Sequence, residues 1–271
     1  MRHPVAVLAA LVLSVSAAPA LAAPALAAPA EVDFTGAVSL DGCSGSVVRP
    51  PAHQSTDPAL VLTNGHCVKF MGADEVLVDQ PSDRKFALLD RDGDDSLGTL
   101  RASALVYATM HDTDLALYRL DETYAEVEAM GSGALELASA PAATGAAVGV
   151  VSAYWRQVYP CRVDGYVHEL REGRYTWKGS MRYDEACRTQ GGTSGSPVVD
   201  VATGKVVAVN NTGNEDGGRC TDNNPCEVDE NGNVTVREGI GYAQRTHQAV
   251  PCLTGGGRVD LAAPGCGLPK P

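Results

Sequence analysis

A short glycine-rich segment carries the residue best suited to nucleophilic chemistry. Residues 189–197 read Thr-Gln-Gly-Gly-Thr-Ser-Gly-Ser-Pro, and a Val-Val pair follows. Glycines on both sides of Ser194 let the backbone turn tightly, so that successive amide N–H groups face one small space. Acyl transfer needs this arrangement, because the serine oxygen attacks a carbonyl carbon whose oxygen becomes an oxyanion. A plain hairpin turn is the simpler interpretation, but the Pro-Val-Val run anchors this turn to a rigid strand.

Two further motifs could supply a proton acceptor and the group that orients it. Residues 62–67 read Leu-Thr-Asn-Gly-His-Cys and place His66 in a turn at the end of a strand. Residues 111–118 read His-Asp-Thr-Asp-Leu-Ala-Leu-Tyr, so Asp114 opens an apolar strand. A carboxylate at a strand edge can accept a hydrogen bond from a histidine and fix its tautomer. Each motif alone is weak, since such a His is usually a surface or packed residue and such an Asp a turn residue, with Asp112 as a competitor.

The segments that must position these residues are short, rich in β-branched side chains and bounded by turn residues. Strand-like runs of this kind recur in residues 36–118 and again in residues 147–236. Such runs predict an all-β chain. Residues 123–143, between them, are rich in Ala and Glu, and this composition favours a connector with at most one short helical piece.

The three motifs together are more specific than any one of them. His66 and Asp114 fall in the first β half and Ser194 in the second, in the chain order His, Asp, Ser. This order resembles that of the chymotrypsin-like serine proteases. The resemblance implies two six-stranded antiparallel β-barrels with the active site in the cleft between them. It makes Ser194 the nucleophile, His66 the general base and later acid, and Asp114 the group that orients His66, with the amides of Gly192 and Ser194 as oxyanion hole.

The same reasoning divides the chain into five segments. They are a signal peptide with a short Ala/Pro segment (1–30), an N-terminal barrel (31–122), a connector (123–143), a C-terminal barrel (144–247) and a disulfide-tied tail (248–271).

Within that family, residues 189–197 are most similar to exported bacterial enzymes of the glutamyl endopeptidase and trypsin-like groups. Animal trypsin-like enzymes have an Asp before the nucleophile that pairs with a newly cut N-terminus. Here that position is Thr193, and no Ile/Val-Val-Gly-Gly sequence precedes Phe34. We therefore expect that signal cleavage, with the trimming of a few residues at most, gives an active enzyme without that ion pair.

Three residues are predicted to bind the substrate side chain. Arg188 stands where trypsin-like members have the Asp that binds a substrate Lys or Arg, so basic side chains are expected to be disfavoured. Thr189 matches the Thr with which glutamyl endopeptidases bind a carboxylate, whereas Asn210 stands about where those enzymes have a His. These residues favour an acidic substrate side chain, with Arg188 supplying the positive charge in place of the missing His. They leave the primary specificity open.

The N-terminal segment and the overall charge restrict where the protein works and what it binds. A basic start, an apolar run at residues 5–15 and small residues around Ala22 and Ala27 are typical of a secretory signal peptide, which predicts a secreted protein with its mature N-terminus within residues 23–31. The run is shorter than the roughly 20 residues of a membrane span. The net charge of -12 would repel nucleic acid and anionic lipid. We expect a monomer that acts on proteins or peptides.

All eight cysteines follow the export segment, and an even number in an exported chain predicts disulfides. A zinc site is the weaker interpretation, because no Cys-x-x-Cys pair occurs. Cys43 and Cys67 border the first strand and the His66 turn, and their bridge would pin that turn. The other expected pairs are Cys161–Cys187, Cys220–Cys226 and Cys252–Cys266.

No metal or cofactor is required by this chemistry. Residues 90–95 read Asp-Arg-Asp-Gly-Asp-Asp and resemble a calcium loop, but they lack the closing Glu of an EF-hand, so a solvated turn is favoured over a calcium site.

Two other functions fit parts of the sequence. A catalytically inactive trypsin-fold protein that binds other proteins is the main alternative, although inactive relatives usually lose His, Asp or Ser and all three are present here. A secreted esterase would share the chemistry, but its nucleophile turn lies between a parallel strand and a helix, with the chain order Ser, Asp, His.

Overall fold

The structure is a computed structural model, and it describes residues 1, 3 and 31–271. The predicted signal peptide therefore lies almost entirely outside the described residues. Within them, no helix is long and apolar enough to cross a membrane.

The first half of the chain folds into a closed antiparallel barrel of six strands. Strand β1 pairs with both β2 and β5, and the circuit continues through β6, β7 and β3 back to β2. Two more strands pair with strands of the barrel: β4 is antiparallel to β6, and β8 is parallel to β2. The elements are β1 (Ala37–Leu40), β2 (Cys43–Arg49), β3 (Pro58–Thr63), β4 (Val76–Pro81), β5 (Lys85–Leu89), β6 (Ser96–Thr109), β7 (Leu115–Thr123), the helix α1 (Tyr124–Ala129) and β8 (Leu135–Glu136).

The second half forms another closed six-stranded antiparallel barrel. Its strands are β9, β10, β13, β18, β15 and β14 in spatial order, and β14 pairs back onto β9. The fold class predicted from the sequence is thus confirmed. The strands are β9 (Ala147–Ser152), β10 (Gln157–Tyr166), β11 (Glu169–Glu172), β12 (Tyr175–Lys178), β13 (Met181–Tyr183), β14 (Pro197–Asp200), β15 (Val206–Gly213), β16 (Cys226–Val228), β17 (Val234–Val236), β18 (Gly241–Arg245), β19 (Leu253–Thr254) and β20 (Arg258–Val259).

Burial explains why these segments form strands. In β3 and in the first six residues of β7 all but one residue of each run is buried, as expected for apolar runs that face the barrel interior on one side and neighbouring elements on the other. A second apolar cluster joins the barrels, with Leu62 and Leu117 of the first packed near Val199 and Val209 of the second. This shared core holds the two barrels in one arrangement, which is what a site between them requires.

An additional four-stranded sheet lies beside the cleft. It consists of β12, β11, β16 and β17 and packs its buried Trp177 against the first barrel. The Tyr175 hydroxyl donates to the Met71 carbonyl at 2.8 Å, and the Lys178 amide donates to the Asp112 carbonyl at 2.8 Å. The sheet is therefore formed by residues from the second half of the chain but packs against the first barrel.

Two short helical elements follow the barrels in the chain, and α1 packs on the first barrel, where the Tyr124 hydroxyl donates to the Val48 carbonyl at 2.9 Å. Helix α1 begins with a capping box, in which Thr123 and Glu126 each bond the other's backbone amide. A 3-10 helix spans His247–Cys252, and the tail beyond it carries the Cys252–Cys266 disulfide. The Tyr107 hydroxyl donates to the Pro269 carbonyl at 3.0 Å, so the tail docks on the first barrel.

Candidate active site

The loop after β3 places His66 against the carboxylate of Asp114. The Nδ1 of His66 donates to Oδ2 of Asp114 at 2.6 Å, and the His66 backbone amide donates to Oδ1 at 3.1 Å. Asp114 is fully buried at the start of β7, so its two oxygens are held by fixed donors. This contact assigns the Nδ1 proton and leaves Nε2 of His66 as the proton acceptor.

The geometry of this loop depends on a glycine and a disulfide. A side chain at position 65 would place Cβ 2.2 Å from the Thr109 carbonyl oxygen, so only Gly65 lets the loop approach β6 this closely. Cys67 is bonded to Cys43 in β2, as predicted, and Nη1 of Arg84 donates to the Cys67 carbonyl at 2.6 Å. The residues immediately before and after His66, Gly65 and Cys67, are therefore both held in place, and they fix the position of the histidine.

The nucleophile turn of the second barrel docks directly on the first. The Ser44 amide donates to the Ser194 carbonyl at 2.8 Å. Gly195 has φ +79°, and a Cβ there would lie 2.0 Å from the Ser44 carbonyl oxygen. A residue with a side chain at position 195 would thus be strained and would also clash with β2.

Ser194 and His66 line one cavity of about 1660 Å³ between the barrels. The Ser194 hydroxyl donates to the Asn211 carbonyl at 3.2 Å, and no hydrogen bond joins it to His66 in the part of the chain that the structure describes. Hydrogen bonds between nucleophile and base are often long or absent without substrate and form in the complex.

Asn64 connects the two catalytic loops, a role that sequence reasoning missed. Its side-chain amide donates to the Asp114 carbonyl at 2.9 Å, and its side-chain oxygen accepts from the Gly195 amide at 2.6 Å. The side chain is fully buried. One residue therefore ties the carboxylate loop to the nucleophile turn.

The proposed oxyanion donors are available. Among residues 31–271, neither the Gly192 amide nor the Ser194 amide donates a hydrogen bond to another protein group. The Thr193 amide donates to the Gln190 carbonyl at 3.0 Å, which closes a tight turn around Gly192, whose φ is +87°. The amides of Gly192 and Ser194 are therefore left to bind an oxyanion, whereas the Thr193 amide between them is used within the turn.

Asn210 holds this turn through its side chain. Its Nδ2 donates to the Thr193 carbonyl at 3.1 Å and to the Thr193 hydroxyl at 3.0 Å, and its Oδ1 accepts from the Tyr183 hydroxyl at 3.0 Å. With 2% of Asn210 exposed, a substrate contact by its side chain would require these bonds to break, and the contact stays a prediction. Thr193 cannot form the charged anchor of animal enzymes, and the buried Asn210 amide anchors it instead.

The other two predicted substrate-binding residues, Arg188 and Thr189, have different surroundings in the structure. Both Arg188 and Thr189 line the cavity, and Thr189 lies against the backbone of Gly241, where a Cβ would be 2.8 Å from its hydroxyl oxygen. Arg188 is exposed, and its guanidinium donates to the Glu185 carbonyl on the same loop. That loop is closed by the predicted Cys161–Cys187 disulfide.

A further carboxylate near His66 had no signal in the sequence. Glu172, at the end of β11, lines the cavity, and its Oε1 accepts from the Asn223 amide at 2.8 Å. Its Oε2 is buried with no hydrogen-bond partner among the described residues. Burial raises the pKa of Glu172 above its ordinary value of 4.5, although the hydrogen bond from the Asn223 amide and the charge of His66 act to lower it.

The His66 imidazole has a raised pKa. Desolvation by the surrounding protein lowers it, although 35% of the side chain remains exposed, but the charge and hydrogen bond of Asp114 and the charge of Glu172 raise it more. The pKa therefore lies above its ordinary value of 6.5. A stronger base accepts the serine proton more readily, but only at a pH that leaves it neutral.

The remaining predicted features lie apart from this chemistry. The fourth predicted disulfide, Cys220–Cys226, closes a loop beside β11. Among the described residues, the carboxylates of residues 90–95 do not converge as a metal site would require; the Arg156 guanidinium donates to the Gly93 and Asp94 carbonyls there. Cys43, His66 and Cys67 do lie close together, but both sulfurs are committed to a disulfide.

The chain is similar to several proteins of known structure. No curated protein matches the chain in sequence. The chain is similar in structure to an inactive serine-to-alanine mutant of Rv3671c from M. tuberculosis H37Rv, at 16% identity over 79% of this chain and 82% of that chain, with a TM-score of 0.48. It is similar to the MamO protease domain from Magnetospirillum magneticum, at 16% identity over 75% and 83% of the two chains, with a TM-score of 0.45.

A third similar structure is the HtrA-type protease AlgW with a decapeptide, at 20% identity over 77% of this chain and 51% of that chain, with a TM-score of 0.45. None of these matches supports the glutamyl endopeptidase subgroup suggested by residues 189–197. The profile of the Trypsin-like peptidase domain, however, matches residues 43–209, more than half of the chain, and includes all three candidate catalytic residues. This protein therefore belongs to the trypsin-like peptidase domain family, a family of serine-type peptidases.

Proposed function

We propose that this protein is a secreted serine endopeptidase that cleaves peptide bonds through Ser194, His66 and Asp114. The observation that carries the proposal is the 2.6 Å hydrogen bond from His66 to a fully buried Asp114, at the mouth of a cavity that Ser194 also lines. A buried carboxylate that holds an imidazole in one tautomer has a clear use when the other ring nitrogen must accept a proton.

The reaction follows from this geometry. Nε2 of His66 takes the proton of the Ser194 hydroxyl as Oγ bonds to the substrate carbonyl carbon, and the carbonyl oxygen becomes an oxyanion. The amides of Gly192 and Ser194 donate to that oxygen. His66 then gives its proton to the departing amine, the peptide bond breaks, and an acyl-enzyme remains. Water, deprotonated by His66, hydrolyses the ester and restores Ser194.

The environment of the site is suited to peptides rather than to nucleic acid. The net charge of -12 disfavours polyanions. The open cleft between the barrels, with the β11–β12 hairpin along one side, leaves room for an extended chain. Four disulfides suit an oxidising compartment, and together with the predicted signal peptide they support secretion.

The test is reaction of the exported protein with a fluorophosphonate probe, followed by mass mapping of the labelled peptide. We expect label on Ser194 and parallel loss of casein cleavage, and neither label nor cleavage in Ser194→Ala. A folded wild-type protein that takes no label would contradict the proposal and favour a catalytically inactive binding protein. N-terminal sequencing of the same material tests export, with cleavage expected within residues 23–31.

Primary specificity is addressed with fluorogenic peptides that carry Glu, Arg or Phe before the scissile bond. Arg188 keeps its guanidinium at the edge of the cavity, where it would repel a basic substrate side chain and attract an acidic one. We expect Glu peptides to be cleaved faster than Arg peptides. Faster cleavage of Arg peptides would show that the carboxylates lining the cavity, Glu185, Glu215 and Glu238, dominate the pocket.

A further inference from the structure

The turn that carries the Gly192 amide is a β-turn whose type can be assigned from its backbone angles. Gln190 and Thr193 are the first and fourth residues of this β-turn, closed by the 3.0 Å hydrogen bond between them. Gly192 has φ +87°, whereas Gly191 has no positive φ, so the turn is type II. A type I turn would have the same ends but a central peptide rotated by about 180°.

The orientation of this central peptide decides whether the oxyanion hole exists. The peptide joins the carbonyl of Gly191 to the amide of Gly192, and in a planar trans peptide these two groups point in opposite directions. Rotation to a type I turn would therefore turn the Gly192 N–H away and place the Gly191 carbonyl oxygen where the N–H was. Glycines at both central positions make that rotation sterically easy.

A side chain outside the turn holds the Gly191 carbonyl. Nε1 of Trp155, in the turn between β9 and β10, donates to this carbonyl at 2.8 Å. The ring also lies against the next residue, since a Cβ on Gly192 would be 3.0 Å from Nε1 of Trp155. The indole thus contacts the Gly191–Gly192 peptide. It bonds the Gly191 carbonyl oxygen, which points in the opposite direction to the Gly192 N–H that would face the oxyanion.

The indole is itself anchored to the same residue that anchors the nucleophile. The Trp155 amide donates to the Ser152 hydroxyl at 3.3 Å, and that hydroxyl lies 3.3 Å from the Ser44 hydroxyl. The Tyr154 amide donates to the Ser44 hydroxyl at 3.1 Å, while the Ser44 amide donates to the Ser194 carbonyl. Ser44 therefore fixes the position of the indole relative to Ser194.

We propose that Trp155 is a positioning residue of the oxyanion hole, whose indole N–H holds the Gly191 carbonyl and so directs the Gly192 amide at the substrate carbonyl oxygen. This inference rests on the proposed serine peptidase function and adds a residue that does not touch the reacting atoms. It complements the Asn210 anchor, because Asn210 bonds Thr193 at the end of the turn whereas the indole bonds the central peptide.

The test is Trp155→Phe, which keeps an aromatic ring and removes the N–H donor. Because 45% of Trp155 is exposed, we expect the variant to fold. Loss of a whole oxyanion donor lowers kcat by about 10²- to 10³-fold, and loss of its positioning should lower kcat by about ten- to a hundredfold with KM changed by less than about twofold. Affinity for a peptide boronic acid should fall by the same factor as kcat/KM, while affinity for the product peptide stays unchanged.

The matched control is Tyr166→Phe in the same barrel. The Tyr166 hydroxyl donates to the Ala142 carbonyl at 2.7 Å, so this variant also removes one bond from an aromatic ring to a backbone carbonyl, but away from the cleft. We expect a similar change in Tm and no change in kcat. An equal fall of kcat in both variants would overturn the proposal, since it would show a general effect on the barrel.

A second variant tests the turn itself. Pro followed by Gly favours a type II turn, and a Cβ at position 191 meets nothing within 4 Å. Gly191→Pro in the Trp155→Phe background should therefore recover most of the lost kcat without the indole. Failure to recover would contradict the role of the turn.

The outcomes separate the inference from the function on which it rests. A wild-type protein that takes no fluorophosphonate label and cleaves no peptide removes the proposed function itself. A labelled, active wild type with Trp155→Phe of equal kcat overturns only the role of Trp155. A rise of KM alone overturns it as well, because it would indicate a substrate contact.

Discussion

The side-chain oxygen of Asn64 accepts a hydrogen bond from the Gly195 amide at 2.6 Å, across the cleft between the two barrels. The same side chain donates to the Asp114 carbonyl at 2.9 Å. Because Asn64 also stands two residues before His66, it links the base, its orienting carboxylate and the nucleophile turn. The alignment of the catalytic groups is therefore a property of the interface between the barrels rather than of either barrel.

Asn64→Ala should weaken both stability and activity. It removes two hydrogen bonds: the Gly195 amide keeps its bond to the Asn210 carbonyl at 2.9 Å, whereas the Asp114 carbonyl loses the donor that Asn64 supplies. Loss of a partner by a buried group costs about 1–3 kcal/mol. Small displacements of reacting groups are also costly, so kcat should fall by about ten- to a hundredfold.

Thermal unfolding and steady-state kinetics measure the two effects of Asn64→Ala. Gln244→Ala is the control, because Gln244 is also buried and its side chain exchanges two hydrogen bonds with the Ser180 hydroxyl, away from the residues that line the cavity. It should lose stability and keep kcat. Equal kcat values for the two variants would argue against the alignment role of Asn64.

Asp114→Asn should abolish most of the activity while the protein stays folded. A neutral amide neither stabilises the imidazolium nor requires the productive tautomer of His66, and such a change lowers kcat by about 10⁴-fold in enzymes of this kind.

Asp112→Asn is the matched control for Asp114. Asp112 is the nearby competitor in sequence, but its carboxylate pairs with Lys178 at 2.9 Å. A partly exposed ion pair contributes about 0–1 kcal/mol, so kcat should stay within about twofold of the wild type. The opposite ranking of the two variants in a peptide hydrolysis assay would refute the assignment of Asp114.

Glu172→Gln should shift the pH dependence of kcat/KM. The negative charge of Glu172 raises the pKa of His66, and the neutral base is the active form. Removing the charge lowers that pKa, so the acidic limb of the profile should move to lower pH from a wild-type midpoint above 6.5. Glu169→Gln, on the same strand, alters an exposed pair with Arg171 and should leave the limb in place. A shift to higher pH would contradict the electrostatic coupling.

The Cys43–Cys67 disulfide should contribute more to stability than Cys220–Cys226. The first closes a sequence separation of 24 residues and the second a separation of 6, and the loss of chain entropy in the unfolded state grows with loop length. Replacing both cysteines by Ser should cost about 3 kcal/mol for the first bridge and about 2 kcal/mol for the second, as measured by denaturant unfolding. The first variant should also lose activity, because Cys67 follows His66 directly. A smaller loss for the first bridge would show that the Cys43 loop is already ordered in the unfolded chain.

Local patterns in the sequence were enough to predict the fold class and the candidate catalytic residues. Strand-like runs bounded by turn residues report on neighbouring residues only, and they predicted an all-β chain. The order of His66, Asp114 and Ser194, carried by three short motifs, indicated the family and hence the two barrels. The structure brings His66 into contact with Asp114 and places Ser194 on the same cavity, and it forms all four expected disulfides.

Only the tertiary structure decided what surrounds these residues. Asn64 meets Gly195 from 131 residues away, Glu172 meets Asn223 from 51 and Trp155 meets Gly191 from 36. No periodicity or spacing marks such pairs, because barrel closure and loop docking, rather than local sequence, bring them together. The support that Asn210 gives to the oxyanion turn is likewise visible only in the tertiary structure, where its buried side chain bonds Thr193. A residue type can suggest chemistry, but its neighbours in space determine whether that chemistry is free to act.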